Sequence, residues 1–329
     1  MDDKNVLNDE KFTSLYNKLY NENFEELEGL RKKEAGDTMK ILLPALIVVL
    51  FVFASHFVSL VFPLATFVMI LIAILFAFAN IIWAFIKIGS NSSGSEASYS
   101  EVFNEKIISP IIKEAIPESK YFPDKGLTET EYNKGEWEAY DRFYSEDKLI
   151  IPLKLAASEE EKTNLQIAEV HTEDRQQDSE GNVSYVTRFY GMAGSVTLPK
   201  SINGKIKVKN DGTALFSSDK IKMDMAEFEK LFDVQADDRI KAMQILTSDV
   251  MTDMIDVVKA TKIKFEFYLK NDKMYIRFHT GPMFELDTFG KTMKFEELKK
   301  YFDITTLLSK VTTNICKTIL ETELSKGEK

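Results

Sequence analysis

The chain predicts an α+β protein: an N-terminal amphipathic helix, a two-helix transmembrane hairpin, and a cytoplasmic domain of antiparallel sheet and several helices. Three observations carry this reading. Residues 41–86 hold no Asp, Glu, Lys or Arg. Apolar residues on either side of that block recur every three or four positions, the period of a helix. Between them, short runs rich in Val, Ile, Tyr and Phe flank Asn-Asp pairs, the turn chemistry of tight hairpins.

In chain order, residues 1–40 come first. Phe12, Leu15, Tyr16, Leu19, Tyr20, Phe24, Leu27 and Leu30 form one stripe, with Asn, Lys and Glu between them. An amphipathic helix of this kind needs a cover, which the rest of the chain, a second copy or a bilayer surface can supply. The polar face carries Glu22, Glu25, Glu26 and Glu28, which anionic lipid repels, so packing on protein is favoured. A homo-oligomer or a protein partner held through this helix is the corresponding expectation.

The apolar block, placed at 41–87, is too long for one straight helix across a hydrocarbon core about 30 Å thick. The break falls at His56–Pro63, where polar atoms and a proline interrupt the run, and gives spans at 41–58 and 63–86. Arg31, Lys32, Lys33 and Lys40 precede the block and Lys87 follows it, whereas the connection carries no cation. Because cytoplasmic flanks hold the excess of Lys and Arg, this predicts a multi-pass protein of the cell membrane, with the bilayer as partner and both termini cytoplasmic. His56 falls near the far turn and reads as interfacial.

Residues 88–98, rich in Gly, Ser and Asn, read as a flexible linker, and 99–325 as the cytoplasmic domain. A helix from Tyr99 is expected to kink at Pro110, and Thr128-Glu129-Thr130-Glu131 has capping-box spacing, opening a helix toward Glu138. Asn210-Asp211-Gly212 and Asn271-Asp272 each separate two strand-like runs. A longer polar loop, His171–Gly181, joins Leu165–Val170 to Val183–Tyr190. Met225–Phe232, Asp237–Leu246, Ser248–Ala260 and a stretch from Phe295 to Leu324 read as helices.

The formal net charge is −10, and no basic stripe appears, which argues against nucleic acid. The single cysteine, Cys316, sits among Val311, Ile315 and Ile319 at helical spacing and reads as a packed thiol. No nucleotide loop, nucleophile elbow, zinc-protease motif or paired-cysteine motif occurs, and Gly191-Met192-Ala193-Gly194 reads as a bulge or bend rather than a phosphate loop. No cofactor, metal site or catalytic residue is assigned.

Alternation along Ile263–Leu269 and Met274–Phe278 places Tyr275, Arg277 and His279 on one face, beside Lys264, Glu266 and Tyr268. Such a face can bind an anion or a peptide carboxylate, and it can equally be a solvated sheet surface. The binding candidates are Arg188, Tyr275, Arg277 and His279. Glu169 and His171, two apart on a strand, could join His279 at a metal if the pairing allows it.

Several stretches together are similar to a known pattern: Leu27-Glu28-Gly29-Leu30-Arg31 before the apolar block, Tyr121-Phe122-Pro123, Tyr140–Asp147, Phe189-Tyr190-Gly191, and Phe228–Leu246. Their order resembles the bacterial domain of unknown function 3137 family. That resemblance implies a two-span membrane protein with a cytoplasmic domain and supplies no catalytic residues. Ala193-Gly194 here replaces the family's usual second aromatic. The expected function is a membrane-anchored cytoplasmic binding or regulatory module. The alternative is a membrane-proximal hydrolase or transferase using Glu169, His171, Arg188 and His279, which requires those four to converge in one pocket. Transport is a third reading and needs an oligomer.

Overall fold

A computed structural model describes residues 9–59, 68, 71–79, 82, 98–155, 162–210, 220–284 and 295–321. They divide into two compact units, one within residues 17–107, the other within 9–16, 108–284 and 295–321.

In the first unit, helix α1 (Asp9–Ser59, whose first residues belong to the second unit) continues from the charged N-terminal segment into the apolar one. Arg31 closes on Glu28 at 2.7 Å within it. Helix α2 (Tyr99–Phe103) opens with a capping box in which Ser98 and Glu101 satisfy each other's backbone amides. The Tyr99 amide donates to Glu34 Oε1 at 2.7 Å, and Lys106 pairs with Glu26 at 2.5 Å. A π-helical turn, Asn104–Ile108, closes this stretch, and α3 (Ser109–Ala115), with Pro110 in its first turn, already belongs to the second unit. The expected irregularity at Pro110 is therefore a widened turn just before the residue that lacks an N–H.

The two-helix transmembrane hairpin is not supported. Among the described residues no helix is long and apolar enough to cross a membrane. Instead of starting a separate span, residues 41–59 extend a helix that begins at Asp9. The expected break at His56 is helical as far as Ser59, and residues 60–63 lie outside the described residues, as does most of the expected second span. Residues 88–97 of the expected linker also lie outside them, while Ser98 is already the cap of α2. A count of charges in the sequence cannot show that one helix carries both the charged and the apolar stretch.

The second unit is built on one eight-stranded antiparallel sheet of order β1-β2-β3-β4-β8-β7-β5-β6. Its strands are β1 (Lys120–Phe122), β2 (Arg142–Lys154), β3 (Lys162–Gln177), β4 (Val183–Thr197), β5 (Lys205–Lys209), β6 (Asp233–Ala236), β7 (Phe265–Lys270) and β8 (Lys273–Phe278). Strand alternation gives it two buried faces. Leu149, Ile151, Leu165, Ile167, Met192, Val196, Ile276, Phe278, Phe265, Phe267 and Val208 line one, all 2 % exposed or less. Helices α5 (Ala226–Glu229), α7 (Ser248–Thr261) and α8 (Phe295–Glu321) serve that face, with Phe228 stacked on Phe232 and Phe232 set edge-on to Phe265. α8 also takes the start of α1, since Phe12 packs against Phe295 and Phe302 at 5.2 and 5.3 Å. This part of the amphipathic stripe is covered within the chain. The other face, with Val170, Thr172, Phe189 and Ala193, lies under α4 (Glu129–Asn133) and the segment after it, through Tyr132, Trp137, Tyr140 and Phe143.

Several elements follow the sequence closely. The Thr128–Glu131 capping box forms, although α4 ends at Asn133 rather than near Glu138, because Gly135 and the left-handed Glu136 turn the chain away. Asn271-Asp272 is a two-residue turn between Lys270 and Lys273, with Asn271 at φ 53°. Cys316 is fully buried on α8, where burial pushes its thiol up to about 12. Other elements differ. The expected polar loop His171–Gly181 is mostly strand, since β3 and β4 form a long hairpin whose turn is only 178–182. Of the expected helix Met225–Phe232 only a single turn, Ala226–Glu229, is helical, and β6 follows, with Val234 buried opposite Val208 at the sheet edge. A short helix, α6 (Arg239–Ile245), follows, capped by Asp238. The partner run expected after Asn210-Asp211-Gly212 lies outside the described residues.

Gly194 marks a close approach between strands. A Cβ there would fall 2.0 Å from the Gln166 carbonyl oxygen and 2.7 Å from the Ile167 Cα, both backbone atoms of β3. Gly194→Ala should therefore cost about 1–3 kcal/mol by forcing β3 and β4 apart. Urea unfolding checks this, the expected result being a lower midpoint with an unchanged slope.

Candidate functional site

The register of β7 and β8 pairs Glu266 with Arg277 and Tyr268 with Tyr275, so Tyr275, Arg277 and His279 do share a face with Glu266 and Tyr268. That face is covered. The Arg277 side chain is 4 % exposed. Its Nε donates to Glu266 Oε1 at 2.6 Å, one Nη donates to Glu138, and the other reaches the Tyr132 hydroxyl at 3.4 Å. Trp137 and Phe189 lie 4.5 and 5.2 Å from the guanidinium carbon. Lys209 approaches Glu138 and Glu266 at 3.6 and 3.8 Å, and His279 Nε2 lies 3.5 Å from Glu266 Oε1. Two cations thus meet two carboxylates with His279 at the edge, and Arg277 is enclosed rather than offered to an anion.

The titration of these groups reflects the enclosure. Burial pushes the Glu138 carboxyl upward, but the Arg277 charge, a backbone hydrogen bond and the Arg277 hydrogen bond outweigh it and hold the group at about 2. Glu266 is likewise lowered: burial opposes, while its bonds to His279 and Arg277 and the Arg277 charge prevail. Tyr275 lies away from the ion cluster, beside Lys134, Trp137, Ser195 and Lys273 around a hollow of 160 Å³. Arg188 pairs with Asp174 at 3.5 Å and is half exposed.

A larger cleft of 560 Å³ opens across β2, β3 and β4, lined by Arg142, Tyr144, Ser145, Glu146, Glu169, His171, Glu173 and Tyr190. The sheet register builds it. Tyr144 pairs with His171 and His171 with Tyr190, so three rings stand in one row across three strands. Glu146 pairs with Glu169 and Arg142 with Glu173 in the rows on either side. The His171 and Tyr190 rings stack at 4.3 Å with planes 15° apart, and Tyr144 lies 5.9 Å from His171 on its other side. The imidazole is oriented by Thr187 Oγ1 at 3.0 Å, with Glu173 at 3.9 Å. The Arg142 guanidinium carbon sits 3.2 Å from the Tyr185 ring centroid and its Nη1 is 3.7 Å from Glu173. Glu169 is buried and accepts from the Met283 amide. A bulge between Glu146 and Leu149, with Asp147 at φ 53°, ends the row on β2. Three carboxylates against one guanidinium give the cleft a negative balance between aromatic walls.

The four residues of the hydrolase reading do not converge. Glu169 and His171 share this cleft, whereas alternation puts His279 on the opposite face of the sheet, edge-on to Phe189, and Arg188 is engaged by Asp174. Among the described residues no group of three His, Cys, Asp or Glu side chains is placed to hold a metal ion. Tyr144, Tyr190, Arg142 and Glu173 were not singled out from the sequence as site residues, because their rows exist only once the register is known. The signal was nonetheless present: Tyr144 and Tyr190 lie in Tyr140–Asp147 and Phe189-Tyr190-Gly191, two of the stretches that carry the family resemblance.

The fold and cleft define an α+β protein with a two-sided antiparallel sheet and an aromatic, acidic ligand-sized hollow at its open part. Residues 187–315 match the model of a family described as a protein of unknown function (DUF3137), the family that the sequence resembles. The matched stretch runs from β4 into α8 and includes Phe189-Tyr190-Gly191 and Phe228–Leu246. The earlier resemblance-bearing stretches lie outside it. No curated protein and no solved structure matches the chain.

Removing one partner of the buried pair should cost more than removing both. Arg277→Met should destabilise by about 3–5 kcal/mol, with Arg277→Met/Glu266→Gln recovering part of that loss, in chemical denaturation at pH 7. The pH dependence follows from the sign of the shift. A carboxyl lowered by folding contributes stability that is complete above its unfolded value, about 4.3, and is lost as pH falls through the folded value. For Glu138 that window runs down to about 2. Denaturation midpoints measured across it should decline, and Glu138→Gln should flatten the decline.

Proposed function

We propose that this chain works by binding rather than by catalysis, taking an ammonium or guanidinium group into the cleft between Tyr144, His171 and Tyr190. The observation that carries the reading is the row of three rings bordered by Glu146, Glu169 and Glu173. Aromatic faces attract a cation through their quadrupole, adding about 0.5–2 kcal/mol, and flanking carboxylates select the same charge. The acidic balance of the whole chain favours approach of such a ligand.

The location we propose is a lipid surface on the cytoplasmic side. Support comes from the uncharged block 41–86 and from exposed side chains such as Leu46, Val49, Leu50, Phe53, Leu71, Leu75 and Phe78, an apolar extent that solvent disfavours. A protein partner or second copy would then meet the part of α1 beyond the Phe12 contact with α8.

Calorimetric titration of the full chain with tetramethylammonium and with spermidine tests the cleft. Tyr144→Ala and Glu173→Gln should each weaken binding by about tenfold, an amount equivalent to 1.4 kcal/mol. Absence of binding, or binding indifferent to both variants, would overturn the reading. The location is tested by washing cell membranes with high salt. The chain should stay with the lipid, and its release into the soluble fraction would rule the lipid surface out.

A further inference from the structure

A second cleft, of 420 Å³, lies away from the aromatic one and has the opposite charge. It is lined by Asn210, Glu227, Lys230, Leu231, Val258, Lys259, Lys262 and Lys264. Four separate pieces of chain bring these residues together: the end of β5, α5 with its following turn, the C-terminal end of α7, and the approach to β7. Lys262 caps α7 in the left-handed conformation at φ 60°, and its amide closes on the Val258 carbonyl at 2.8 Å, which turns the chain back toward Lys264. The Asn210 amide donates to the Phe265 carbonyl at 3.1 Å and ties β5 to the same corner.

The charges do not balance. Lys259 is paired with Glu227 at 2.6 Å and Lys230 also acts on that carboxylate, but Lys262 and Lys264 have no carboxylate within ion-pair distance among the described residues. The negative end of α7 accounts for a cation or two near its last turn, yet Lys230 and Lys264 belong to other segments. In a chain of net charge −10, a concave site with four lysines and one carboxylate runs against the overall composition. Leu231 and Val258 supply an apolar wall beside the ammonium groups.

We propose that this cleft binds a phosphate group, with Lys230, Lys262 and Lys264 neutralising its oxygens. The apolar wall accommodates whatever the phosphate is esterified to. The ligand chemistry is common to free phosphate compounds and to phospholipid headgroups. This site is independent of the aromatic cleft and stands whether or not that cleft takes a cation.

The test is calorimetric titration of the full chain with two probes, inorganic pyrophosphate and the monomeric short-chain lipid dihexanoyl phosphatidic acid. Lys262→Gln/Lys264→Gln should weaken binding by about tenfold or more, and added salt should weaken it further. Lys113→Gln/Lys120→Gln, on exposed positions elsewhere, serves as the charge-matched control. Binding of both probes supports a site for the phosphate group itself, and binding of the short-chain lipid alone supports a headgroup site. Failure of both probes to bind, or equal loss in the control variant, overturns the proposal.

Discussion

The second unit depends on a sheet that is buried on both faces along its middle strands. On one side the apolar residues of β2, β3, β4, β7 and β8 meet helices, and on the other Val170, Phe189 and Ala193 meet Tyr132, Trp137 and their neighbours. Side chains on a strand alternate between the two faces, so where both faces are covered a charged group must be matched inside the protein. Arg277 is the clearest consequence. It stands at a buried position of β8 and is retained only because Glu266 and Glu138 accept from it and Lys209 balances the second carboxylate. The same rule explains where the sheet is open: the row Tyr144–His171–Tyr190 is polar on the face that is apolar further along the strands, and there a cleft takes the place of a helix.

Much of this organisation could be read from the residues. The α+β class, the Asn271-Asp272 hairpin, the capping box at Thr128, the packed Cys316 and the shared face of Tyr275, Arg277 and His279 all follow from local rules with a range of a few residues. What stayed hidden was pairing between distant stretches. Gln176 and Arg175 look like loop residues until β4 is placed beside them. The solvated face expected around Arg277 is closed by residues 132–138, more than a hundred positions away in the chain, and alternation alone cannot foresee a lid from that distance. The apolar block shows the complementary error, because hydropathy recognised its composition but not that α1 carries it on from a charged segment.

The two clefts separate charge in space. The acidic, ring-lined hollow belongs to β2–β4, and the lysine-lined one to the corner where β5, α5 and α7 meet. All residues of the second lie within the stretch that matches the family model, whereas the first lies mostly before it, with Tyr190 shared.

The margins of the sheet carry one more implication. Its outermost strands are short, three residues in β1 and four in β6, and β2, which β1 covers only in part, is broken by the bulge at Glu146 and carries Pro152, which has no amide to donate. Unpaired rims of this sort resist docking by a foreign strand. Lateral fusion of two such sheets into a continuous ribbon is accordingly disfavoured, and crowding many copies together would leave each sheet closed to its neighbours.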